Sequence, residues 1–160
     1  MENITAKAPW KAHLGEVPFT LDYFDGSMFE AVEAIAEKYP NNVAFDFMGR
    51  STTYKTLIKE IEACAKSLRT IGVREGDKVT IAMPNCPQAI QMFYAVNLIG
   101  GICNMIHPLS AEKEIEFYLN ESESVTAITL DQFYNKFESI RHNTKVVNIV
   151  IASIKDELSK

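Results

Sequence analysis

Residues 79–111, VTIAMPNCPQAIQMFYAVNLIGGICNMIHPLSA, run for 33 positions without an Asp, Glu, Lys or Arg. A membrane span needs about 20 consecutive apolar residues to cross about 30 Å of hydrocarbon. Pro84, Pro87, Gly100, Gly101 and Pro108 cut this run into shorter pieces. The longest, residues 88–99, would cover only about 18 Å as a helix, which argues against a span. The pieces also differ in period. VTIAM, between Lys78 and Pro84, is short and rich in β-branched residues, and predicts a strand. Asn85 as N-cap, with proline in the first turn, predicts a helix over 86–99. That helix is apolar nearly all round, interrupted mainly by Gln88, Gln91 and Asn97, so it should be buried on more than one side. Gly100 and Gly101 stop it, and residues 102–106 read as a second strand. Strand, helix and strand with short connections form a βαβ unit with parallel strands. Such strands are covered on both faces, which accounts for the missing charge.

The flanking pattern extends this picture. Residues 1–26 show no clear period and read as an N-terminal arm, packed on the surface by Trp10, Phe19 and Tyr23. Ser27 to Glu30 is a capping box opening a helix to about Tyr39, with Phe29, Val32, Ala36 and Tyr39 on one face. Residues 43–48 read as a strand, Gly49-Arg50 as a turn, and 51–53 as a return strand. Thr53 caps a helix over 54–71, whose Leu57, Ile58, Ile61, Cys64, Ala65, Leu68 and Ile71 keep a 3.6 period. Gly72 closes it at C′. Beyond the uncharged run, Ser110 is placed to cap a helix over 111–120, with Ile115, Tyr118 and Leu119 buried and Glu112 and Glu114 near its positive end. Residues 125–130 predict a strand and 132–139 a helix. Residues 146–152 predict a nearly continuous apolar strand, expected to be central or well covered. The fold class is α/β: a mostly parallel sheet, helices on both faces, three layers, in one domain over 27–160.

Composition narrows the function. The net charge of −5 and the lack of a basic cluster argue against nucleic acid. Cys64, Cys86 and Cys103 lack metal-ligand spacing and read as small buried hydrophobes in a reduced, cytoplasmic setting. Residues 1–15 contain no apolar signal core.

Candidate chemistry gathers at one edge. Ligands of open parallel sheets collect beyond the C-terminal ends of the strands. Two loops leave that edge, Pro84 to Pro87 and His107 to Ser110, so Asn85, His107 and Ser110 are the candidate cofactor-binding residues. Asn85 and Ser110 also have plain readings as helix caps, and His107 as a loop histidine. Gly72 to Gly76 precedes a strand, and Gly100-Gly101 follows a helix, so neither makes a phosphate loop. His13 and His142 have no triad or metal partners at a telling spacing, and Glu112 with Glu116 forms a solvated face. No residue stands out as nucleophile, general base or metal ligand.

Three blocks, in order, resemble the N-terminal part of adenylate-forming acyl-CoA synthetases, and most closely bacterial long-chain fatty-acid–CoA ligases. They are PWKAHLGEVPFTLDY; SMFEAVEAIAEKYPNNVAFDFMGRSTTYKTL, with Thr53, Tyr54 and Leu57; and IGVREGDKVTIAMPNCPQAIQMFYAVNLIGGICNMIHPLSAEKEIEFYL. The resemblance implies a ligase that forms an acyl-adenylate from ATP and a carboxylate, then passes the acyl group to coenzyme A, with Mg²⁺ assisting. The family's phosphate loop, ribose-binding Asp, hinge and C-terminal Lys would all follow residue 160. The chain alone is therefore expected to bind no cofactor and to be inactive, with the remainder of the synthetase as its partner. An exposed subdomain interface would also allow self-association. The family commonly has Asn-Pro where this chain has His107-Pro108, in a loop that lies near coenzyme A in some relatives. Two other readings stay open: a short non-catalytic interaction module and, less well supported for want of the glycine fingerprint, a small Rossmann-like nucleotide-binding domain.

Overall fold

The computed structural model describes residues 8, 10 and 13–158. Helix α1, Met28–Lys38, starts in the capping box: Ser27 accepts from the Glu30 amide, and the Glu30 carboxylate accepts from the Ser27 amide. Strands β1, Val43–Phe47, and β2, Arg50–Thr53, form a separate antiparallel hairpin. Its turn is Met48-Gly49, both at positive φ, one residue earlier than Gly49-Arg50. Such turns match the twist of the strands they join. Thr53 caps α2, Tyr54–Thr70, and Gly72 follows it at φ 101°.

Then come β3, Lys78–Ala82; α3, Pro87–Leu98; β4, Ile102–Met105; α4, Glu112–Glu121; β5, Thr126–Leu130; α5, Tyr134–Ile140; and β6, Asn148–Ala152. A 3-10 turn, Asp131–Phe133, opens the segment expected to be helical from 132, and another, Ile154–Glu157, follows β6. The second sheet is wholly parallel, in the order β4-β3-β5-β6. No helix among the described residues is long and apolar enough to cross a membrane.

Alternation along the strands sorts two cores. Val79, Ile81, Ile128 and Leu130 face α1, α2 and α3, where Phe29, Leu57, Ile61, Leu68 and Val96 are buried. Ala82 and Ala127 face α4 and α5, against Ile115, Leu119, Phe137 and Ile140. This is the expected three-layer arrangement. Each large apolar side chain buried here stabilises the fold by about 1.5–3 kcal/mol. Gly101 lets α3 return tightly to the sheet: a Cβ there would lie 2.9 Å from Val96 Cγ1 and 3.3 Å from the Asp77 carbonyl oxygen.

Four expectations change. β6 is an edge strand, not a central one: Ile149 and Val150 touch opposite cores, but Ile151 and Val147 are exposed. Its apolar run reports covered faces and says nothing of neighbours along the sheet. Tyr39 and Tyr118 sit partly exposed at the margins of their helices. In the arm, Trp10 and Tyr23 are exposed instead of packed down. Lastly, the α3 and α4 caps are not the residues expected, as described next.

A polar cluster ties the hairpin to the helices and to the last turn. Arg50 donates to Glu157 at 2.8 Å and lies 3.8 Å from Glu60, which accepts from Gln91 at 2.9 Å. Burial, reinforced by the nearby Glu157 carboxylate, holds the Glu60 carboxyl above the usual range, against the hydrogen bond from Gln91 and the charge of Arg50. A proton held more tightly in the folded state stabilises it below the ordinary carboxylate pKa. That contribution is lost as pH rises through the raised value. Glu60→Gln removes the charge and keeps an acceptor for Gln91, while the long Arg50 contact it gives up is worth little. The variant is therefore expected to match wild type in urea unfolding at about pH 4 and to become relatively more stable towards about pH 7. Relative destabilisation at neutral pH would show that the Arg50 pairing dominates.

Candidate functional site

The loops after β3 and β4 line one cleft of about 600 Å³ at the C-terminal edge of the sheet. Its floor and walls are Met83, Pro84, Met105, Ile106, Leu109 and Phe133, with Asn85, His107 and Gln132 as the polar side chains. Asn85 and His107, placed at this edge from the sequence, are thus brought together. Ser110 does not line the cleft. Gln132 and Phe133 complete the lining without a signal in the sequence that marks them. The helical pattern expected over 132–139 gave no sign that its first residues form a 3-10 turn at the β5 exit.

Neither cap reading holds. α3 is capped at Cys86, with no side-chain bond, because the chain enters the helix one residue later than Asn85, which stays exposed. α4 is capped at Ala111, whose amide donates to the Glu114 carboxylate at 3.1 Å. Ser110 instead offers its carbonyl to Lys136 Nζ at 3.0 Å, which ties this loop to α5. His107 Nδ1 accepts from the Leu109 amide at 3.2 Å, so this ring nitrogen is occupied within its own turn and Nε2 is left for a ligand.

The thiols are not activated. Burial pushes all three cysteines up, Cys103 to about 11, and Glu60 and Glu157 add to the effect at Cys64. At Cys86, amides at the start of α3 oppose the shift without reversing it.

The donor set does not fit a magnesium nucleotide. Among the described residues no three His, Cys, Asp or Glu side chains are grouped to hold a metal ion. The β3–α3 turn has no glycine, and Pro87 removes the first helical N–H that could meet a phosphate.

Comparison with known proteins decides the family: that described as AMP-binding enzyme matches residues 32–160. The chain belongs to the AMP-binding enzymes. A long-chain-fatty-acid–CoA ligase of Bacillus subtilis is 29% identical over 154 residues, 96% of this chain and 28% of that protein. A 2-succinylbenzoate–CoA ligase of Oceanobacillus iheyensis is 27% identical over 126 residues, covering 71% of this chain and 26% of that protein. A solved long-chain-fatty-acid-CoA ligase from Archaeoglobus fulgidus shares the fold with a TM-score of 0.77 at 23% identity, over 86% of this chain and 30% of that one. The chain thus spans about a quarter of the length of the curated relatives it matches. The chain shares the α/β fold of that solved ligase.

Proposed function

We propose that this chain is the N-terminal scaffolding part of an ATP-dependent acyl-CoA synthetase acting on fatty acids in the cytoplasm. The observation that carries the reading is the alignment of 96% of the chain with 28% of a long-chain-fatty-acid–CoA ligase. In the complete reaction, a carboxylate attacks the α-phosphate of ATP, giving acyl-adenylate and pyrophosphate. The thiol of coenzyme A then takes the acyl group and AMP leaves. On this reading ATP and Mg²⁺ are held by the remainder of the synthetase, which is the partner of this chain. The cleft bordered by Asn85 and His107 faces that partner and its ligands. The poor fit of the described residues to a triphosphate supports the division of labour.

The test is ATP–pyrophosphate exchange with a range of fatty acids. The 160-residue chain is expected to show none, and a synthetase carrying it as its N-terminal part is expected to show exchange that depends on fatty acid. Exchange by the chain alone would overturn the scaffolding role. Absence of exchange from the longer protein, with every acid tried, would overturn the ligase reading.

A further inference from the structure

The cleft at the C-terminal edge spans three strand exits, in the order in which the strands pair. His107 and Leu109 follow β4 on one flank, Pro84 and Asn85 follow β3 in the middle, and Gln132 and Phe133 follow β5 on the other. Lys136, in the first turn of α5, reaches both flanks without lining the cleft itself. Its Nζ donates to the Ser110 carbonyl at 3.0 Å, lies 3.5 Å from that of Leu109, and stands 5.9 Å from the centre of the Phe133 ring. A lysine ammonium ordinarily stays in water or pairs with a carboxylate. Among the described residues no carboxylate pairs with this half-buried one, so its protein partners are two carbonyls and a ring face.

The turn that Lys136 holds is closed by its own hydrogen bonds. The Ser110 amide donates to the His107 carbonyl at 3.2 Å, which makes residues 107–110 a β-turn with Pro108 at its second position, where proline is favoured. The Leu109 amide donates to His107 Nδ1, so in the neutral ring the proton sits on Nε2. His107, Leu109 and Ser110 are thus linked as one body, and the ring goes where the turn goes. Attachment of that body to the rest of the fold is sparse. Pro108 is buried. Otherwise Lys136 makes the only polar contacts, among the described residues, from this turn to another element.

We propose that Lys136 is a positioning residue of this cleft: it braces the turn after β4 against the β5 exit, and so sets the width of the cleft and the place of the His107 Nε2–H. It acts through the turn and not on a ligand. Its meaning for a substrate rests on the reading of this chain as part of a synthetase; the brace itself does not.

The experiment compares wild type, Lys136→Met and Lys136→Arg in the 160-residue chain by nitrogen-15 NMR. Methionine keeps an apolar stem and drops the donors, and arginine restores them. A scalar coupling between the Leu109 amide nitrogen and His107 Nδ1, across their hydrogen bond, is expected in wild type and Lys136→Arg and lost in Lys136→Met. In Lys136→Met the Leu109 and Ser110 amides should exchange about tenfold faster, with the unfolding midpoint unchanged. A coupling that survives in Lys136→Met, or a loss that Lys136→Arg does not restore, would overturn the brace. The lining of the cleft is mostly apolar and unsuited to a triphosphate. In a synthetase carrying the chain, Lys136→Met is therefore expected to raise the KM for fatty acid or coenzyme A about fivefold or more, with kcat and the KM for ATP kept, and Lys136→Arg to restore it. Unchanged kinetics despite a loosened turn would overturn the positioning role. A wild-type synthetase inactive with every fatty acid tried would instead sink the ligase reading, and the NMR result alone then decides the brace.

Discussion

Replacing Phe137 by alanine is expected to cost about 3–5 kcal/mol of unfolding free energy, the range for removing a buried phenyl ring. Phe137 is 1% exposed and is the largest fully buried side chain in the layer between the sheet and helices α4 and α5. Its neighbours across the sheet are small, Ala82 and Ala127, so the ring fills the depth that they leave. The seven-residue α5 has no side-chain cap and little length to form by itself, and this contact, with that of Ile140, holds it to the sheet. A domain of this size has about 5–15 kcal/mol to lose, so the variant should melt far earlier in urea. Phe137→Leu should recover much of the difference. A loss below about 1 kcal/mol for the alanine variant would mean that the layer repacks around the void.

The second large effect is expected at Thr80, in the middle of β3 and fully buried. Its Oγ1 lies 2.7 Å from Ser124 Oγ and accepts from Asn104 Nδ2 at 2.9 Å. Asn104 also donates to Ser122, 3.0 Å away, and Ser122 lies 2.8 Å from Ser124. These four side chains join β3, β4, the end of α4 and the approach to β5. Thr80→Val keeps shape and removes the hydroxyl, leaving the buried Ser124 hydroxyl and the half-buried Asn104 amide each short of a partner, at about 1–3 kcal/mol. A double-mutant cycle with Ser124→Ala measures the shared part, because side chains in one network do not add. Full additivity would show that the contact contributes nothing beyond its separate parts.

Much of the fold is legible in the sequence because each element carries a local signal. The Ser27 to Glu30 box, the Thr53 cap, Gly72 at C′ and the prolines around α3 each act within a few residues. Those signals placed α1, α2, β3, α3 and β4 close to where they lie. What failed depends on distant parts of the chain. The run 146–152 is apolar on both faces, yet its place at the edge is set by which strand pairs with β5. Asn85 and Ser110 have the chemistry of caps, but the exact entry angle of each helix passed that role to Cys86 and Ala111. At the cleft, Asn85 and His107 were legible from the rule that parallel sheets gather loops at one end. Gln132 and Phe133 were not, since only the packing of the third strand brings them there.

The strand order β4-β3-β5-β6 also bears on how the chain is made. β3 emerges first, β4 joins one side of it, β5 the other, and β6 then extends β5. Each strand after β3 meets a neighbour already made, and none must wait for a later segment to fill a gap. Parallel pairing is slow because each crossover closes a long loop before it is rewarded. Growth outward from β3 limits that delay to one crossover at a time, which shortens the exposure of unpaired strands.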